Sequence, residues 1–138
     1  VNYYKEMYKS LRRNTELINR NANAVGALFA NGTLKIYSSI QPATGNDAAA
    51  GTLLATIILP ASPFGAAAGG VISKSGTWAA VAVANATAGW ARFTSNDAAK
   101  SFDCTVAEVG GDLTIDDDAI VIGGNVVVTA FTYTVPLS

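Results

Sequence analysis

The sequence predicts a mainly β protein: a β-sandwich or jelly-roll-like body of about seven or eight strands, preceded by one amphipathic helix. Three observations lead there. Apolar residues recur at period two from about residue 33 onward, clusters of Gly, Pro, Asn and Asp cut that region into short segments, and helical spacing is confined to the amino end. Strands and helices do not alternate, so a nucleotide-binding α/β fold is not expected. A length of 138 residues suits one domain, divided into a helical arm over 1–22, a linker over 23–32 and a β body over 33–138.

Within residues 2–20, Tyr4, Met7, Tyr8, Leu11 and Ile18 fall at the spacings that line one helix face, while Asn14 and Thr15 weaken the stripe. Such a helix is about 28 Å long at about 1.5 Å per residue. Isolated helices of that length are marginal in water, so this one requires a surface, either its own body or a neighbour. The run Asn19–Asn23 is expected to end it.

Thr33–Ser38 alternates Leu34 and Ile36 with Lys35 and Tyr37, as a half-buried strand does. Residues 41–47, Gln-Pro-Ala-Thr-Gly-Asn-Asp, carry turn chemistry. Thr52–Leu59 is apolar on both faces and is expected to lie centrally, whereas Pro60–Gly70 reads as a surface loop. Strands are expected near 78–84, 89–95 and 101–107, with a hairpin at Ser95-Asn96-Asp97. A short strand and turn region holds Leu113, Ile115, Ile120 and Ile122. The last strand, Asn125–Pro136, sets Val126, Val128 and Ala130 on one face, and Val127, Phe131, Tyr133 and Val135 on the other.

Half of the residues are apolar, enough for a real core, and only 14% are charged, well under the roughly 25% of an average soluble domain. A surface so poor in charge is expected to be partly covered by an assembly. Residues 1–20 carry Lys5, Lys9, Arg12, Arg13 and Arg20 against Glu6 and Glu16, a net +3. The remainder carries four bases and eight acids, a net −4. A basic arm on an acidic body favours docking between subunits over nucleic-acid contact. The charge-free stretches 48–73, 75–91 and 119–138 are long enough for membrane helices, but Pro and Gly break the first and Val/Thr alternation marks the third. A soluble chain is expected.

With no histidine, the Ser-His-Asp triad, histidine zinc sites and an imidazole base are all ruled out. The single cysteine, Cys104, excludes an internal disulfide and reads as a buried strand thiol. No G-x-x-x-x-G-K-[ST] motif is present to cradle phosphate. Asp116, Asp117 and Asp118 are the sharpest candidate for a cation, through hard oxygen ligands, yet they lack the spacing of an EF-hand loop and read first as a solvated turn. Trp78, Trp90, Tyr37, Phe93 and Phe102 could stack sugars, although strand positions make packing the better reading. No catalytic residue, cofactor, metal or small-molecule substrate is expected. The residues singled out for a partner interface are Tyr4, Met7, Tyr8, Leu11, Arg12, Arg13, Ile18, Trp90 and Arg92.

The order of several weak signatures resembles a group of small structural proteins of tailed bacteriophages. They are Leu34-Lys35-Ile36-Tyr37-Ser38 followed by Gln41-Pro42-Ala43, Gly51-Thr52-Leu53-Leu54-Ala55-Thr56, Phe64-Gly65-Ala66-Ala67, Gly89-Trp90-Ala91-Arg92-Phe93, Gly111-Asp112-Leu113, and the ending with Gly123-Gly124, Phe131-Thr132 and Thr134-Val135-Pro136. The likeness covers about residues 33–136; Trp90, Asp116–Asp118 and the alanine-rich middle depart from it. The resemblance implies a virion component, present in many copies and assembled in the host cytoplasm. Its expected role is capsid decoration or cementing, with the major capsid protein or other virion subunits as partners and a homo-oligomer as the expected state. A tail, neck or fibre-attachment component is the alternative, and a carbohydrate-binding module the more distant one.

Overall fold

The computed structural model describes residues 12–135. Among the described residues, a helix, α1 (Thr15–Leu28), precedes nine strands: β1 (Thr33–Ser38), β2 (Leu53–Ile58), β3 (Val71–Ser73), β4 (Ala79–Val81), β5 (Ala86–Thr94), β6 (Ser101–Ala107), β7 (Leu113–Ile115), β8 (Ala119–Ile120) and β9 (Asn125–Thr134). The protein is mainly β, as the alternation predicts.

The described helix runs on to Leu28, past the end expected near residue 20, and residues 2–11 of the expected helix lie outside the described residues. Asn14 is its N-cap, in an extended conformation, and its Oδ1 accepts from the Leu17 N–H at 2.9 Å. Residues 19–28 are helical, so the expected stop at Asn19–Asn23 and the start of the linker at residue 23 are corrected. The reason lies in the partners of the two asparagines. Asn19 and Asn23 are one turn apart, and their side-chain oxygens accept from the backbone N–H of Gly70 at 2.8 Å and of Ala67 at 2.9 Å. Residues that usually favour a helix end here fasten the helix to the loop before β3. The same helix buries Ile18, Ala22 and Gly26, spaced by four, so small side chains allow close approach. Ile18 and Ala22 pack with Ile72 and Val135, and a Cβ at Gly26 would meet the Ile72 Cδ1 at 3.0 Å.

The sheet runs in the order β2-β1-β5-β6-β7-β9-β3, with β4 also on β9 and β8 on β5. All pairings are antiparallel except β6 with β7. β3 and β4 share one edge of β9, at Thr132–Thr134 and Asn125–Val127 respectively. Just past β4, which pairs with β9, the Val83 N–H donates to the Leu54 carbonyl at 2.8 Å, which brings β2 near the β9 side of the sheet and curls it around one core. Phe93 lies at the centre of that core, stacked on Phe102 at 4.5 Å and edge-on to Trp78 at 5.7 Å.

β2 is an end strand of this path, which corrects its expected central position. A bulge accounts for two consecutive inward-facing residues in it. Ile36 faces Ala55 and Tyr37 faces Leu53, so Leu54 is the extra residue, and Leu54 and Ala55 both turn inward. A second bulge corrects the faces expected for β9. Thr114 faces Ala130 and Ile115 faces Val128, leaving Thr129 over. The buried side chains therefore switch from Val126 and Val128 to Phe131 and Val135, while Ala130 is exposed.

Candidate functional site

Trp90 and Arg92 lie on the face of β5 opposite Ala91 and Phe93. Trp90 has no exposed surface. Its ring stacks on Tyr37 at 4.6 Å, and its Nε1–H donates to the Ala50 carbonyl at 3.1 Å, so the 39–51 loop closes over it. The Arg92 guanidinium sits 5.3 Å from the Trp90 ring and pairs with both oxygens of Asp103 on β6, at 2.7 and 2.9 Å. Hydrogen bonding to Asp103 raises the Arg92 pKa above its usual value. Both side chains expected at a partner interface are engaged within the protomer.

Ile18 likewise faces its own body. Arg12 is exposed and Arg13 half-buried, and Tyr4, Met7, Tyr8 and Leu11 lie outside the described residues. Of the aromatics considered as a sugar platform, Trp78, Trp90 and Phe93 are fully buried, and Tyr37 and Phe102 lie on opposite faces of the sheet. They do not form an exposed coplanar surface.

Apolar exposure lies elsewhere. Val81, Val83, Val121 and Ile122 are each more than half exposed, at 56, 58, 64 and 58%. They are neighbours because Ala82 is bonded to the 121–124 turn on both sides: its N–H donates to the Gly124 carbonyl and its carbonyl accepts from the Gly123 N–H, at 2.8 and 2.9 Å. Ile122 was legible as an apolar residue beside a glycine pair, but its sequence position gave no sign that it would meet the end of β4.

The acidic turn gains a member that spacing did not reveal. Carboxylate oxygens of Glu108, Asp117 and Asp118 lie within 4.8 Å of one another, close enough to share a hard cation such as Ca²⁺. Asp116 instead builds the turn, its Oδ1 accepting from the N–H groups of Asp117 and Val127, and Asp117 Oδ1 accepts from the Ala119 N–H.

An open groove of about 550 Å³ separates the first half of β6 from the last half of β9. It exists because β7 is only three residues long and reaches β6 only at Val106 and Ala107. Phe102, Cys104, Phe131 and Tyr133 line it together with Asp103 and Asp112. Burial, helped by the negative charge of Asp112 and Asp103, pushes the Cys104 thiol up to about 12, so it is no nucleophile near neutral pH.

These features define the class by architecture: a small, curled-sheet β protein with a helix docked on it. No family model, curated protein or solved structure matches the chain.

Proposed function

We propose that this chain is a structural, non-catalytic subunit of a tailed-phage particle, a capsid-decorating or cement protein that clamps neighbouring shell subunits. The observation that carries the reading is the exposed row Val81, Val83, Val121 and Ile122 on a body with 14% charged residues. Apolar side chains left in water cost free energy, and burial against protein recovers it. The sequence resemblance supplies the virion setting and the major capsid protein as partner. Many copies, each making a modest contact, add up through avidity to a large effect on the shell.

The test is side-chain-resolution imaging of intact particles produced from the genome that encodes the chain. Density for the protein across the outer shell, with Val121 and Ile122 against a neighbouring subunit, is the expected result. Density confined to the tail or neck overturns the decorating role, and absence from the particle overturns the virion role altogether.

A further inference from the structure

The sheet is incomplete beside β7. Residues 101–103 of β6 and 132–134 of β9 face each other across the open groove, and among the described residues no strand lies between them. Both edges turn backbone groups into it. On β6, the Ser95 N–H donates to the Lys100 carbonyl at 2.8 Å on the β5 side, and the Thr105 N–H turns away to the Asp112 carboxylate at 3.2 Å. Antiparallel alternation then directs the N–H and C=O of Ser101 and Asp103 away from β5. On β9, the Phe131 carbonyl accepts from the Lys74 N–H and the Val135 N–H donates to the Gly70 carbonyl, both at 2.8 Å on the β3 side. Thr132 and Thr134 therefore present theirs on the opposite side. Phe102, Phe131 and Tyr133 supply the apolar surface between the two walls.

We propose that this groove receives an extended, uncharged arm of a different virion subunit, about four or five residues of which complete the sheet in the line of β7. The proposal rests on the shell-clamping function above and names one of its contacts. Strand addition takes affinity from main-chain hydrogen bonds and specificity from alternate side chains entering pockets.

Three observations select the occupant. A guest that meets both walls must offer main-chain N–H and C=O groups along both of its sides, as an extended chain does. Each of β1 to β9 is already paired on at least one side, so no described strand of a second copy has two free edges to offer. The arm therefore comes from another protein. Charge sets its composition. The charged residues that line the groove are Asp103, gripped by Arg92, and Asp112, whose carboxylate accepts from the Thr105 N–H. Both are engaged, so a cationic arm finds no free counter-charge and an anionic one meets two carboxylates. An uncharged stretch with apolar side chains at alternate positions fits. Edges that must stay empty are blunted by lysine or proline, and neither residue lines this groove.

The test is amide hydrogen exchange on the full chain, both isolated over a range of concentrations and in particles produced from the genome that encodes it. The amides of Ser101, Asp103, Thr132 and Thr134 are expected to exchange quickly in the isolated protein at every concentration. In the particle they are expected to exchange at least about a hundredfold more slowly. Thr132→Pro removes a groove-facing N–H and sets a ring where the arm would pair, on the side of β9 away from β3. With the amides of β1 and β5 still protected, this variant is expected either to stay off the particle or to lose the added protection at Ser101 and Asp103. Slow exchange in the dilute isolated protein means that its own chain fills the groove, and slow exchange only in the concentrated one means that a second copy does. Either result overturns the proposal, as does protection in the particle that Thr132→Pro leaves intact. A particle that lacks the protein sinks the virion reading, whereas one that carries it with these amides still fast sinks this contact alone.

Discussion

Arg92 grips Asp103 across the β5–β6 pair with two charge-assisted hydrogen bonds, at 2.7 and 2.9 Å, and lies over the Trp90 ring as it does so. The Asp103 side chain is only 4% exposed, against 15% for Arg92. The pair is therefore nearly dry, and removing one member strands the other in a poor solvent for charge.

Arg92→Met is expected to cost about 2–4 kcal/mol, because the Asp103 carboxylate loses its counter-charge. Arg92→Met with Asp103→Leu should recover most of that loss, since two apolar groups leave no charge behind. Urea denaturation of the two variants measures both. Equal instability of the single and double variants would show that the pair contributes through shape rather than charge.

Gly89 lies opposite the irregular register where Tyr37 faces Trp90 and Ser38 faces Ala88. A Cβ there would sit far inside van der Waals contact with the Ser39 carbonyl oxygen, a backbone atom rather than the end of a flexible side chain. Gly89→Ala is expected to lose about 3 kcal/mol or more. Gly45→Ala, where nothing lies within 4 Å, should stay within about 0.5 kcal/mol. Thermal unfolding of the two variants side by side separates the steric effect from a general glycine effect.

Asn19 and Asn23 fasten α1 to the loop ahead of β3. Asn19→Ala, at the partly buried bond to Gly70, should cost about 1–2 kcal/mol, and Asn23→Ala, at the exposed bond to Ala67, about 0.5 kcal/mol. Amide exchange should accelerate at Gly70 and Ala67 in the respective variants. Unchanged rates there would mean that packing of Ile18 and Ala22 alone holds the helix.

Cys104 tests the core without mutation. Its thiol is raised to about 12 in the fold, mainly by burial, whereas an exposed thiol titrates near about 8.5. The folded state thus favours the proton. This contribution to stability is fully present below about pH 8.5 and is lost as pH rises toward the folded value. Native protein at pH 8 should resist thiol alkylation and react fully in denaturant. Rapid labelling of native protein would place the sulfur at the surface.

The elements readable in advance were those in which one face of a regular strand meets one core. Leu34 and Ile36 are buried by alternation with Lys35 and Tyr37, and Ser95-Asn96-Asp97 turns the chain between β5 and β6. Reading was less successful where a single residue breaks the period. The extra residue at Leu54 made an end strand look two-sided, and the one at Thr129 moved Phe131 to the face of Val128. Trp90 and Arg92 resemble surface anchors in a list of strand positions, because the loop that covers the first and the carboxylate that pairs with the second are distant in sequence.

Sequence alone determined the mainly β character, the presence of a helix near the amino end and the lack of histidine chemistry, because period, turn residues and composition are local properties of the chain. Tertiary structure alone decided which asparagines hold the helix, which valines stay in water and where β7 is too short to close the sheet. Those outcomes depend on pairing register and on contacts between distant segments, and a bulge of one residue reverses what every later side chain faces.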